Sequence, residues 1–191
     1  MRKFVVGITG ASGIRLGLKF SKYLAESTKG GVFLVLSNGA KMVARYEDKM
    51  QDILQGQNLA ENITMLDDNA LDSPIASGSF GVEASFVIPC SANSLAKIAC
   101  GISDTLITRF ALVALKERRT LILAPREMPL NAIMLQNMLT LSNLGAIIAP
   151  PMLAYYANSQ NLAQIEDFLC GKWLDSANIT HNLYNRWGET P

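Results

Sequence analysis

Arg126 and Glu127 stand side by side in Pro125-Arg126-Glu127-Met128-Pro129, directly after an apolar run. Arginine grips a phosphate through two N–H groups at once. A carboxylate beside it can shuttle a proton. The plain alternative for such a pair is a surface ion pair, which contributes little. Ser91-Ala92-Asn93-Ser94 offers a second set of able groups, again between an apolar run and a helical stretch. Either serine can cap that helix, touch a ligand, or do both. The third set is "GITGASGIRLG", Gly7 to Gly17, with glycines at positions 7, 10, 13 and 17. Glycine reaches backbone conformations closed to other residues and lets the chain approach a ligand closely. The helix that follows presents unpaired N–H groups and a positive dipole end to an anion. Without a ligand the same spacing makes a tight strand-to-helix turn.

Several chemistries are excluded by what is missing. A dinucleotide fingerprint needs G-x-G-x-x-G and an acid closing the second strand. The spacing here is G-x-x-G-x-x-G, and the second strand ends at Ser37. A short-chain dehydrogenase would also need a Tyr-x-x-x-Lys pair, which does not occur. The chain has one histidine, His181, in a polar tail, so neither a zinc centre nor a Ser-His-Asp triad is expected. Cys90, Cys100 and Cys170 form no CxxC and are expected as reduced thiols, Cys100 and Cys170 as buried small hydrophobes. Lys116-Glu117-Arg118-Arg119 reads as a solvated helix end favoured by the dipole. Asp67-Asp68-Asn69-Ala70-Leu71-Asp72 has nearly the spacing of an aspartate-rich diphosphate motif, one residue too long, and is expected to be solvated.

The elements that must position these groups follow from periodicity. Apolar β-branched runs occur at Phe4–Ile8, Val32–Leu36, Phe86–Pro89, Thr120–Ala124 and Ala146–Ala149. A weaker run, Ile63–Leu66, is a sixth strand or an edge. Short continuous runs suit strands buried on both faces. Helical stretches lie between them, at about Gly13–Ser27, Lys41–Tyr46, Leu95–Cys100, Thr105–Arg118 and Leu130–Leu144. A further helix follows near Leu162–Trp173, and Asp67–Gly81 is expected as a long loop. The alternation predicts one α/β domain: a doubly wound, Rossmann-like, mostly parallel sheet of about six strands with helices on both faces. Ligands of such sheets sit beyond the carboxyl ends of the strands. The turns there hold small residues, hydroxyls, one arginine, one carboxylate and the tyrosines Tyr155 and Tyr156. That edge suits a phosphorylated, flat aromatic ligand without a metal.

The chain has 191 residues, 49% hydrophobic and only 17% charged. One full core fits that length. Low charge leaves apolar surface for neighbouring subunits to cover. A net charge of +1 gives no footprint for nucleic acid. No run has the length of a membrane span. A cytoplasmic location is expected.

Taken together, "GITGASG", "ASGSF", "VIPCSANSLAKIACGISDTLITR", "ALKERRTLILAPREMPL", "LSNLGAIIAPPMLAYY" and "RWGE" resemble the UbiX flavin prenyltransferases, earlier described as 3-polyprenyl-4-hydroxybenzoate decarboxylases. The resemblance runs from about Phe4 to Glu189. It implies a flavoprotein domain across 1–191, with the C-terminal helix and tail from about 160 in oligomer contacts. It implies a homo-oligomer, commonly a dodecamer, with FMN at subunit interfaces. The implied reaction moves a dimethylallyl group from dimethylallyl monophosphate to N5 and C6 of reduced FMN, without metal. The prenylated FMN product then serves a UbiD-type decarboxylase. Carried over by position, flavin contacts fall to Gly10, Ala11, Ser12, Ser37, Ser91, Ala92, Asn93, Ser94 and Arg126. Donor contacts fall to Arg109, Lys116, Arg126, Tyr156 and Lys172. Ser12, Glu47 and Glu127 match positions implicated in the chemistry.

The chain departs from the family at Ile14 and Leu16, at Tyr155-Tyr156-Ala157, and at Lys172, where relatives carry arginine. These departures bear on affinity more than on reaction type. The rival readings are an FMN-dependent cysteine decarboxylase, which needs an early histidine absent here, and a flavin-binding protein without catalysis.

Overall fold

The computed structural model describes residues 2–47 and 59–188; Glu189, which closes the last family motif, lies outside them. Six strands form one parallel sheet: β1 (Lys3–Ile8), β2 (Gly31–Leu36), β3 (Ile63–Asp67), β4 (Ala84–Cys90), β5 (Thr120–Pro125) and β6 (Ile147–Ile148). Their order across the sheet is β3-β2-β1-β4-β5-β6, so the weak run Ile63–Leu66 is the edge strand β3. In register, Phe4 lies between Val32 of β2 and Ala84 of β4. The last run contributes only two paired residues, opposite Ile122 and Leu123.

The helices are α1 (Ile14–Thr28), α2 (Asn38–Ala44), α3 (Ala92–Ala99), α4 (Leu106–Lys116), α5 (Ala132–Asn143) and α6 (Leu162–Ser176). Most begin where a short polar side chain takes a free amide of the first turn. Ser37 accepts from the Ala40 amide and Ser91 from that of Ser94. Thr105 caps α4, Asn131 caps α5 and Asn161 caps α6. Apolar periodicity places the starts of α2 and α3 three residues late, because the capping turn itself is polar. The expected loop Asp67–Gly81 holds two short 3-10 turns, Pro74–Ala76 and Gly78–Phe80.

Alternation along β1 divides the core. Phe4, Val6 and Ile8 face α1 and α6, where Phe20 meets Phe86 at 4.8 Å and Trp173 at 5.8 Å between ring centroids. Val5 faces the other side with Leu95, Phe110 and Leu121, under α3 and α4. The Trp173 indole N–H donates to the Ala149 carbonyl at 2.9 Å and ties α6 to the end of β6. Glu166 is buried in the α1–α6 seam, within 3.2 Å of Lys19.

Two expectations need correction. Cys100 is exposed at the end of α3, while Cys90 and Cys170 are the buried thiols. Cys100 follows the last inward-facing residue of α3, Ile98, by two positions, which turns it away from the core. The acidic stretch is not wholly solvated either: Asp68 is only 6% exposed. Its carboxylate accepts from the Ile107 amide at 2.9 Å and its carbonyl from Leu106 at 2.7 Å. It therefore closes the amino end of α4. Among the described residues, no helix is long and apolar enough to cross a membrane.

Candidate active site

The connections of the sheet run in opposite directions from β1 and β4, so a crevice opens where these strands end side by side. Thr9, buried at the end of β1, staples the crevice floor. Its hydroxyl donates to the Pro89 carbonyl at 2.9 Å and accepts from the Ser91 amide at 2.7 Å. Above this floor lies a cleft of about 460 Å³. The turn after β1 lines it with Gly10 and Ala11, and the turn after β2 with Ser37, Asn38 and Gly39. Asp68 and Asn69 come from the end of β3, and Ser91 to Ser94 with Lys97 from the β4 turn and α3. Thr105, Ile107 and Thr108 enter from α4, and Arg126 and Glu127 from the β5 turn.

Both serines of the β4 turn have structural partners as well as a view of the cleft. The Ser91 hydroxyl accepts from the Ser94 amide at 3.2 Å and donates to the Ser94 hydroxyl at 3.1 Å. Arg126 differs. Its backbone amide donates to the Cys90 carbonyl at 3.2 Å, but its Nε is buried with no hydrogen-bond partner among the described residues. A buried guanidinium nitrogen left unpaired by the protein calls for an acceptor from elsewhere. With the serine hydroxyls and the glycine-lined turn, it suits a ligand with phosphate and carbonyl oxygens, as FMN has. Glu127 is exposed at the mouth; its carboxylate accepts only from the adjacent Met128 amide, at 3.1 Å.

Two further groups were invisible from spacing. Burial pushes the Asp68 carboxyl above its ordinary range, against the pull of its bonds from Ile107 and Thr105. Lys97 faces the cleft while paired with Asp104 at 2.6 Å. Burial alone pushes the Cys90 thiol up to about 12, so it is no nucleophile.

The amino end of α1 is already occupied. The Glu47 carboxylate accepts from the Gly13 amide at 2.8 Å and from the Ile14 amide at 2.9 Å. The anion expected at this turn is thus a side chain of the same chain. Gly13, at φ 106°, adopts the left-handed conformation that glycine alone enters freely. A Cβ on Gly17 would lie 2.2 Å from the Ile88 carbonyl oxygen, so this glycine serves close packing of α1 on β4. Ser12 is exposed at the tip of the turn, beside this cap and outside the set lining the cleft.

The expected donor residues are brought together only in part. Tyr156 and Lys172 line a second cleft of about 490 Å³ between α6 and the segment after β6. Arg109 and Lys116 lie seven residues apart on α4 and line neither cleft. The Arg109 Nε donates to the Ala76 carbonyl at 3.2 Å, and Lys116 pairs with Glu117. Arg126 sits in the first cleft. His181 is buried against Asp175 in the segment after α6, late in the sequence, and so is not the early histidine that such a decarboxylase uses. Among the described residues, no group of three His, Cys, Asp or Glu side chains is placed to hold a metal ion.

Comparison with known proteins agrees with this fold. The flavoprotein family matches residues 1–174. A flavin prenyltransferase UbiX from Campylobacter jejuni is 46% identical over 190 residues, covering 97% of this chain and 98% of its own. The crystal structure of AnUbiX (PadA1), in complex with FMN and dimethylallyl pyrophosphate, superposes with a TM-score of 0.90 at 34% identity, over 100% of this chain and 99% of its own. A dodecameric FMN-dependent Ubix-like decarboxylase from Escherichia coli O157:H7 does so with a TM-score of 0.88 at 36% identity, over 98% and 100%.

Proposed function

This chain belongs to the flavoprotein family and, within it, to the UbiX flavin prenyltransferases, and from that membership we infer which of its residues carry the reaction. It is a flavin prenyltransferase that uses FMN and makes the prenylated cofactor. The observation that carries the assignment of roles is the Arg126–Glu127 pair at the switch-point cleft, which both residues line, with the Arg126 Nε buried and without a partner among the described residues.

Reduced FMN supplies the nucleophilic N5 and C6 positions that receive the five-carbon unit. Gly10, Ala11, Ser12, Ser37 and the Ser91–Ser94 turn hold it, with Arg126 supplying N–H donors. The donor is dimethylallyl monophosphate. A monophosphate is a poor leaving group, so positive charge must gather where its oxygens take up the electron pair. Arg126, Lys172 and, from neighbouring copies, Arg109 and Lys116 gather that charge. Tyr156 adds a hydroxyl to the phosphate and a π-face to the allyl cation. Glu127 moves the proton at C6, assisted by Ser12 and Glu47.

The scattered placement of these residues in one copy supports a site completed between copies, with α6 and the tail in the contact. The product goes to a UbiD-type decarboxylase. Three free thiols support a reducing, cytoplasmic setting.

Anaerobic incubation with reduced FMN and dimethylallyl monophosphate is expected to yield flavin heavier by one five-carbon unit. The Glu127→Gln variant is expected to bind FMN as the parent does and to stall. Unchanged flavin mass with FMN bound refutes the activity; parental turnover by Glu127→Gln refutes the role of that carboxylate.

A further inference from the structure

The described part of the polar tail after α6 is packed on that helix, and its Trp187 meets Tyr156. Gly171, on α6, faces it. A Cβ there would stand 2.5 Å from the Tyr184 ring and 2.7 Å from His181, so the tail lies in a seat only glycine leaves open. One turn further along α6, Asp175 takes three partners from the tail. Arg186 Nη2 donates to it at 2.8 Å, His181 Nε2 lies at 3.2 Å, and the Tyr184 hydroxyl donates to it as well.

From this anchor a row of rings leads to the donor cleft. Tyr184 meets Phe168 at 4.8 Å, Phe168 meets Tyr156 at 5.8 Å, and Tyr156 meets Trp187 edge-on at 5.5 Å. Tyr156 forms a wall shared by two clefts: the one holding Lys172, and one of about 550 Å³ bounded by Tyr184, Arg186 and Trp187. Tyr156 and Trp187 are 60% and 84% exposed, so Tyr156 is held chiefly by its ring contacts with Phe168 and Trp187.

We propose that Gly171 and Asp175 are positioning residues for prenyl transfer: they seat the tail on α6 so that Trp187 braces Tyr156 against the donor. The proposal rests on the reading of Tyr156 and Lys172 as donor contacts. An edge-to-face aromatic pair is worth a few-fold in an equilibrium constant. An alanine at 171 favours the helix itself, so Gly171→Ala displaces the tail without weakening α6.

Three variants test this, Gly171→Ala, Asp175→Asn and Trp187→Leu, each measured as the full-length protein. Calorimetry with dimethylallyl monophosphate is expected to show binding weakened about three- to tenfold. KM for the donor is expected to rise by the same factor, with kcat at saturation and FMN affinity unchanged. Trp187→Phe is expected to restore most of the loss. In a Tyr156→Ala background, Trp187→Leu is expected to add nothing, since both act through one ring. Donor binding equal to the parent in all three variants overturns the proposal. So does a loss of FMN affinity and kcat in step with KM, which marks a merely structural tail, and so does full additivity with Tyr156→Ala. A parent that binds the donor without prenylating FMN refutes the assigned reaction instead, and the calorimetry then decides the tail on its own.

Discussion

At Glu47 one carboxylate takes both amides that open α1, the place where a glycine-rich turn invites a ligand phosphate. A carboxylate there also complements the helix dipole. Glu47→Ala is therefore expected to cost about 1–2 kcal/mol of stability, in the range of a lost helix cap. Glu47→Gln keeps an acceptor oxygen and is expected to lose clearly less. Urea unfolding of the two variants beside the parent checks the order. If alanine and glutamine cost the same, the charge rather than the hydrogen bonds carries the effect. Arg126 shows the reverse situation. Its Nε finds no acceptor among the described residues, although Cys90, Ser91 and Glu127 are all close in sequence or space.

At the scale of elements, caps and anchors decide where the working turns sit. Ser37, Ser91 and Thr105 each spend a side-chain oxygen on the first turn of a helix, which fixes the backbone that lines the cleft. α6 is anchored twice, by Trp173 to β6 and by Asp175 to the tail. Burial alone would raise the Asp175 carboxyl, but the hydrogen bonds from Arg186 and Tyr184, with the charges of Arg186 and His181, outweigh it and hold it below the ordinary range. A depressed carboxyl binds fewer protons folded than unfolded, so its contribution is present above the ordinary carboxylate pKa of about 4 and is lost as pH falls through the lower, folded value. The tail is thus expected to stay seated at neutral pH and to detach in acid. Proteolytic cleavage after Asn178, followed from pH 7 downward with an acid-active protease, checks this. The Asp175→Asn variant is expected to be cleaved readily at neutral pH.

At the scale of the whole molecule the outer surface is the unusual feature. α5 buries only Met134 and Leu141, while Ile133, Leu135 and Leu139 are exposed at 71%, 52% and 55%. The apolar surface of α5 thus extends well beyond the part that it buries in this copy. Met152, Leu153 and Tyr155, after β6, are exposed as well, and exposed apolar side chains in such number mark surface for a partner to cover. Leu139→Asp is expected to break the proposed assembly into smaller species in light scattering. Because Arg109 and Lys116 lie away from both clefts of one copy, donor turnover is expected to fall with it while the fold, followed by far-UV dichroism, persists. An intact assembly in Leu139→Asp would place the contact elsewhere.

How much of this was legible beforehand differs by the range of the interaction. Strand order of appearance, the edge character of Ile63–Leu66 and the turns carrying Ser37, Ser91 and Arg126 follow from local periodicity, since apolar runs and polar turns are written in neighbouring residues. The family motifs carried the chemistry for the same reason. Three things were not legible. Asp68 looked solvated, because its amide partners on α4 lie 38 and 39 residues away. Glu47 could not be read as the cap of α1, being 34 residues from the amide it binds. The tail looked merely polar, because its partners are scattered around α6. The sequence by itself determined the fold class, the family and the turns that line the cleft. Only the tertiary structure decided which polar groups are already satisfied within the chain and which, like the Arg126 Nε, have no partner among the described residues. Hydrogen-bond satisfaction depends on distances of about 3 Å between groups far apart along the chain, and no local pattern encodes those.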